Sequence, residues 1–172
     1  MDCLIISGMS GAGKSLAADV LEDAGYYCVD NMPASLIPRF AELFSSSSAK
    51  YKKVAFVVDV RGGESRESIV SVKRQLNQTG LSCRMLFLDC RDDALINRHK
   101  ATRRRHPLDD SGNIADAIAR ERKLMEPIRA EADYIIDTTA LSSATLKSHI
   151  LNMFGGEKGK TPMVISVFSR PS

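Results

Sequence analysis

Eight residues near the start, Gly8-Met9-Ser10-Gly11-Ala12-Gly13-Lys14-Ser15, fit the pattern G-x-x-x-x-G-K-[ST]. Glycines let a backbone curl until successive N–H groups converge on one anion. Lys14 adds a point charge for β- and γ-phosphates, and Ser15 adds a hydroxyl for Mg²⁺. Gly8 through Ser15 are therefore the candidate nucleotide-binding segment, a P-loop. The pattern constrains few positions, so a glycine-rich strand-to-helix turn is the competing reading, and context must decide. The apolar run Leu4 to Ile6 reads as a buried strand before the motif. Leu16, Ala17, Val20, Leu21 and Ala24 fall on one helical face after it. The helix adds unpaired N–H groups and a positive dipole end at the same place.

A phosphate site of this kind needs a second acid for the metal. Asp59 closes the apolar run Val54 to Val58, where an acid holding Mg²⁺ should fall. Asp also suits helix caps, so capping is the plain alternative. Asp30 is the rival acid, or faces a second substrate. A third feature is the run from Arg98 to His106, with five cationic side chains in nine residues. Such charges repel unless an anion is present, and guanidinium groups grip phosphate oxygens in a plane. Arg103, Arg104 and Arg105 then read as a lid that closes over the transferring phosphoryl group. A solvated helix end and an RNA-contacting patch stay open as alternatives. His99, His106 and His149 form no triad with a placed Ser or Cys and read as bystanders, although His106 is able to contact phosphate or base.

These residues need a frame. Five apolar runs alternate with helical spacing: Leu4–Ile6, Tyr26–Val29, Val54–Val58, Met85–Leu88 and Tyr134–Ile136. That alternation predicts a three-layer α/β fold of the P-loop, kinase-like type with a five-stranded parallel sheet. Asp30, Asp59, Asp89 and Asp137 close four of the strands and the P-loop closes the fifth, at the edge where such sheets bind ligands. Pro33 is expected to open a helix presenting Leu36, Ile37, Phe40, Ala41 and Phe44 on one face. Further helices are expected near Ser65–Asn77, Asp92–Lys100, from Ile114, and over Leu141–Phe154. Ser45 to Ser48 and Ala101 to Asn113 read as loops, and Gly155 to Lys160 as a linker.

With 172 residues, 44% of them apolar and 26% charged, the chain has the make-up of one globular domain. A net charge of +3 does not by itself argue for nucleic acid. Cys3, Cys28, Cys83 and Cys90 lack C-x-x-C spacing and read as free thiols, which suits a cytoplasmic protein. No apolar run approaches the length of a membrane span, and no secretory signal stands at the start. The N-K-x-D guanine reader is missing, which speaks against a switch GTPase but leaves ATP and GTP both open.

Five stretches together resemble the bacterial RNase adapter (RapZ) family, also called YvcJ-like nucleotide-binding proteins. They are the P-loop, Gly25-Tyr26-Tyr27-Cys28-Val29-Asp30-Asn31-Met32-Pro33, Asp59-Val60-Arg61-Gly62, Thr102-Arg103-Arg104-Arg105-His106-Pro107-Leu108 and Ala132-Asp133-Tyr134-Ile135-Ile136-Asp137-Thr138. The second and fourth are specific to that family; the P-loop is not. The resemblance covers about residues 1–154. It implies a domain that binds ATP and GTP with Mg²⁺ and hydrolyses them slowly. By matching, Asp59, Val60, Arg61 and Gly62 would form a second nucleotide segment, associated with GTP. Lys14, Asp59, Arg103 and Arg104 would then serve catalysis, and Ser15 and Asp59 the metal. Some members direct an endoribonuclease to a small regulatory RNA, with RNA met mainly by a C-terminal domain, and full-length members are expected to form homo-oligomers. Residues 155–172 look like a linker and the opening strand of that second domain, at Met163–Ser169, with no match beyond it. The chain thus reads as truncated, with its last segment poorly ordered or pairing between molecules. A non-catalytic nucleotide-sensing module and a small-molecule kinase, with Asp30 near the acceptor, are the alternative functions.

Overall fold

The structure, a computed structural model, describes residues 2–46, 53–58, 66–78, 82–102 and 113–154. The elements run β1 (Asp2–Gly8), α1 (Lys14–Asp23), β2 (Tyr27–Met32), a 3₁₀ turn (Ala34–Leu36), α2 (Ile37–Ser46), β3 (Lys53–Val58) and α3 (Arg66–Gln78). They continue with β4 (Ser82–Asp89), α4 (Asp92–Thr102), α5 (Ile114–Ala130), β5 (Tyr134–Asp137) and α6 (Ser143–Phe154).

The described strands make one parallel sheet in the order β2-β3-β1-β4-β5. Parallel strands buried on both faces need unbroken apolar runs rather than alternation. β1 supplies one: Leu4, Ile5 and Ile6 are all buried. It lies between β3 and β4, with Ile6 opposite Val57 on one side and Leu86 on the other. The chain leaves β1 toward β2, then returns through β3 and proceeds to β4 and β5. With right-handed crossovers, that reversal puts α1 on the opposite face from α2, α3 and α5. Contacts agree: α1 packs on α6, while α3 and α4 pack on α5. The reversal also makes the carboxyl ends of β1 and β3 the topological switch point, where ligands enter open α/β sheets.

The three-layer parallel fold is as expected; several boundaries are not. Pro33 precedes a 3₁₀ turn, and α2 itself starts at Ile37 with Pro38 in its first turn. The offset buries Ile37 and Ala41 but leaves Leu36 exposed. Ser45 and Ser46 continue α2 rather than opening a loop. α4 runs on through Ala101 and Thr102, past the expected break. Basic side chains such as His99 and Lys100 in its last turn suit the negative end of the helix dipole. α6 starts at Ser143, because the Ser142 hydroxyl caps it by accepting the Thr145 amide at 3.1 Å. The expectations for 155–172 lie outside the described residues.

Candidate phosphate-binding site

The P-loop continues from the end of β1 into α1. Gly8 still pairs with Leu88, and a Cβ built on it would stand 2.3 Å from the Leu88 carbonyl oxygen. Only glycine permits that approach. Gly11 has φ +90°, and a Cβ there would meet His99 Nε2 at 3.2 Å.

Each carbonyl from Gly8 to Gly13 is engaged inside the protein. Gly8 O accepts from Lys14 Nζ at 2.8 Å, and Met9 O from the Ala12 amide at 3.0 Å. Ser10 O contacts His99 Nε2 at 3.2 Å; a carbonyl only accepts, so that nitrogen carries the proton here. Gly11 O accepts from Arg98 Nη1 at 2.8 Å, and Ala12 O from Thr138 Oγ1 at 2.8 Å. Gly13 O takes the Ala17 amide at 3.0 Å as the first intrahelical bond of α1. With the oxygen ends turned inward, the N–H ends of Gly13 and of the first turn of α1 are the donors an anion would meet.

The other helix starts sharpen this. Asn113 caps α5 by accepting the Asp116 amide at 3.2 Å, and Asp93 accepts the Ala94 amide in the first turn of α4 at 2.9 Å. The N-cap of α1 is Gly13, which offers no side-chain cap, and its first turn carries no acid. The positive end of the α1 dipole therefore meets neither a side-chain cap at Gly13 nor an acid of its own first turn.

Lys14 is half-buried at this turn, and Ser15 beside it is exposed. Asp59, Val60, Arg61 and Gly62, and Arg103, Arg104 and Arg105, lie outside the described residues. So does His106. Asp30 is exposed near the end of β2. His149 is half-buried on α6. His99 is not a bystander: it is 6% exposed and holds the P-loop.

Three further residues hold the loop, a role the sequence did not assign to them. Arg98 belongs to the basic stretch, yet its guanidinium bridges Gly11 O and Thr138 O, both at 2.8 Å. Thr138 follows the strand-closing Asp137 and is 2% exposed. Glu121 has no exposed surface; it accepts the Ser10 amide at 3.1 and 3.2 Å and the Ser10 hydroxyl at 2.8 Å. The signal for Glu121 was present. It occupies a position of the stripe Ala117, Ile118, Met125, Ile128, where a charged side chain must have a buried partner.

One strand over, Asp89 closes β4 and is 8% exposed. Arg122 Nη1 reaches its Oδ1 at 3.0 Å, and Arg129 Nε its Oδ2 at 2.9 Å. The Cys90 amide adds a third bond at 2.7 Å. Arg122 also pairs with Asp92 at 2.6 Å. Burial alone would lower the Arg122 pKa, but the hydrogen bonds and charges of Asp89 and Asp92 outweigh it and the pKa is raised. A cleft of about 260 Å³ opens here, lined by these groups and Asp137. Asp89 is thus a structural ion-pair centre. Among the described residues no His, Cys, Asp or Glu cluster has the make-up of a metal site. The four cysteines are free, and no helix among the described residues is long and apolar enough to cross a membrane.

A nucleotide-binding protein of Desulforamulus reducens is 46% identical over 167 residues, covering 96% of this chain and 56% of that protein. Another from Heliobacterium modesticaldum is 43% identical over 166 residues, covering 96% and 55%. The chain therefore spans little more than half the length of these curated relatives. Among solved structures, a shikimate kinase from Acinetobacter baumannii in complex with shikimate superposes with a TM-score of 0.59 at 18% identity, covering 93% of this chain and 96% of that one. At that identity the likeness shows the fold alone, a P-loop kinase-like α/β sheet. The family model of the RapZ-like N-terminal domain matches residues 1–158, which takes in the P-loop and the α4, α5 and β5 partners that hold it, and the chain belongs to that family.

Proposed function

We propose that this domain binds Mg·ATP or Mg·GTP and hydrolyses it slowly. The observation that carries the reading is the P-loop with its carbonyls tied inward, next to a helix start left without a side-chain cap. Lys14 Nζ, now on Gly8 O, is within the loop's own span and would move its charge onto β- and γ-phosphate oxygens. Mg²⁺ takes oxygen donors and keeps several waters. The exposed Ser15 hydroxyl fits that donor set, and Asp59, which follows β3, would be the second. Arg103 and Arg104 would close over the charge that develops on the transferred group. Phosphoryl transfer needs positioning and charge neutralisation more than covalent help. No general base is assigned, which accords with slow turnover.

Asp59 to Gly62 would extend the nucleotide site. In the longer proteins of this family, nucleotide occupancy would then be read by other domains, with RNA met mainly outside residues 1–154. A second reading is a small-molecule kinase, favoured by the kinase-like fold and by exposed Asp30 at the same sheet edge.

Fluorescent-nucleotide titration and phosphate release, with wild type and Lys14→Ala, test the proposal. The substitution should weaken triphosphate binding at least tenfold, as loss of a charge-assisted contact of about 1.5–3 kcal/mol predicts. Equal background phosphate release from both proteins would remove the hydrolysis reading. Transfer of the γ-phosphoryl group to a small hydroxylated acceptor instead of water, with release of the nucleoside diphosphate, would favour the kinase.

A further inference from the structure

We infer that Glu121, with Ser10 and His99, is a positioning device that sets the P-loop for phosphate, an inference that rests on the nucleotide-binding reading above. Glu121 has no exposed surface and stands within the apolar stripe of α5. A buried carboxylate is costly unless its oxygens are hydrogen-bonded, and an apolar residue there would fit the stripe better. Both of its oxygens go to one residue of the P-loop. The Ser10 amide lies 3.1 Å from Oε1 and 3.2 Å from Oε2, and the Ser10 hydroxyl donates to Oε2 at 2.8 Å.

The opposite end of the same residue is held too. The Ser10 carbonyl accepts from His99 Nε2 at 3.2 Å, and His99 is buried on α4. One residue is thereby gripped at its N–H, its side chain and its C=O by two helices that follow it by about a hundred residues in the chain. The next residue, Gly11, sits against the same His99 ring with φ +90°. The direction of the peptide planes after Ser10 follows from that grip. Glu121 meets the Ser10 amide and hydroxyl from within the protein, so it acts through the loop, and the donors of Gly13 and the first turn of α1 are not part of the clamp. Its negative charge beneath an anion site would oppose binding by simple Coulomb repulsion. Its geometric effect must therefore exceed that penalty if the clamp aids affinity.

The test uses methylanthraniloyl-ATP and methylanthraniloyl-AMP with Mg²⁺, against wild type, Glu121→Gln, Ser10→Ala and the double variant. Gln turns one acceptor oxygen into a donor and spoils the double acceptance from Ser10. Glu121→Gln should weaken the triphosphate about tenfold and the monophosphate less than twofold, since only the former loads the β/γ end of the loop. Ser10→Ala should show the same selectivity at about threefold, and the double variant should bind no more weakly than Glu121→Gln alone. Equal losses for both nucleotides, or no loss in a variant whose melting transition is intact, overturn the inference. If Glu121→Gln does not fold, Ser10→Ala decides by the same ratio. Failure of wild type to bind either probe overturns the nucleotide reading and this inference together, whereas normal wild-type binding with indifferent variants overturns only the clamp.

Discussion

At the end of β1 the loop carbonyls and the Met9, Ser10 and Ala12 amides are engaged, while Gly13, the N-cap of α1, gives that helix no side-chain cap. At the end of β4, the neighbouring strand, acid and base are both engaged. Asp89 is met by Arg122, Arg129 and the Cys90 amide, and Arg122 returns to Asp92 and the Cys90 carbonyl. The two places even share a helix, since Glu121 serves the first and Arg122 the second. The lesson is that charge does not mark a ligand site. The arginine cluster has more formal charge and an open cleft, yet its charges answer each other. The P-loop region has less formal charge, but it lies at the start of a helix with no side-chain cap at Gly13 and no acid in its first turn.

Gly8→Ala should break the first region outright. The new Cβ would stand 2.3 Å from Leu88 O and 2.9 Å from Leu88 N, both backbone atoms of the central strand pair. Neither can retreat without parting β1 from β4, so the cost should reach about 4 kcal/mol or more, the range of severe backbone changes. Little folded protein is expected, with no nucleotide-dependent rise in melting temperature. A variant that melts like wild type would show that β1 and β4 are less tightly paired here than the register indicates.

Asp89→Asn should separate the regions. It leaves Arg122 and Arg129 facing a neutral amide in a largely buried place. Arg122 and Arg129 side chains are 33% and 21% exposed, so solvent screening moderates the loss. Destabilisation of about 2 kcal/mol is expected, a fall in melting temperature of roughly 4–8 °C for a domain of this size. Nucleotide affinity should change less than twofold. A large affinity loss without a stability loss would make the cleft part of the ligand site.

The sheet was legible because each buried strand is a run that only a parallel, doubly covered sheet accommodates, as Val54 to Val58 illustrates. The P-loop was legible because its requirements are local: Gly8, Gly13, Lys14 and Ser15 are close in sequence. The clamp was not, because its parts come from three elements. Ser10, His99 and Glu121 look unrelated until β1, α4 and α5 are packed. A basic stretch beginning at Arg98 reads as one unit in sequence, but α4 carries Arg98 and His99 to the P-loop, where their N–H groups donate to the loop carbonyls. Helix start positions were missed where a 3₁₀ turn or a serine cap decides them, as at Ile37 and Ser143.

Cys28, on β2, reports on the packing of the P-loop helix against the sheet. Its thiol donates to Ala18 O on α1 at 3.3 Å. Burial, with help from Glu22, Asp19 and Asp30, pushes its pKa up to about 11. The folded state thus holds this proton more tightly than the unfolded state, whose thiol titrates near 9. The stabilisation linked to it is complete below about pH 9 and is lost as pH rises through about 11. At pH 8 the reactive thiolate should be about a hundredfold scarcer than in the unfolded chain, so iodoacetamide labelling of Cys28, followed by peptide mass, should be slower by that factor and rise about tenfold per pH unit. Under native conditions Asp89→Asn should leave this rate unchanged, because the ion-pair cluster is held by α5 and not by α1. A rate that climbs in Asp89→Asn would mean that the ends of β1 and β4 loosen together, and the division between them would then hold for chemistry but not for stability.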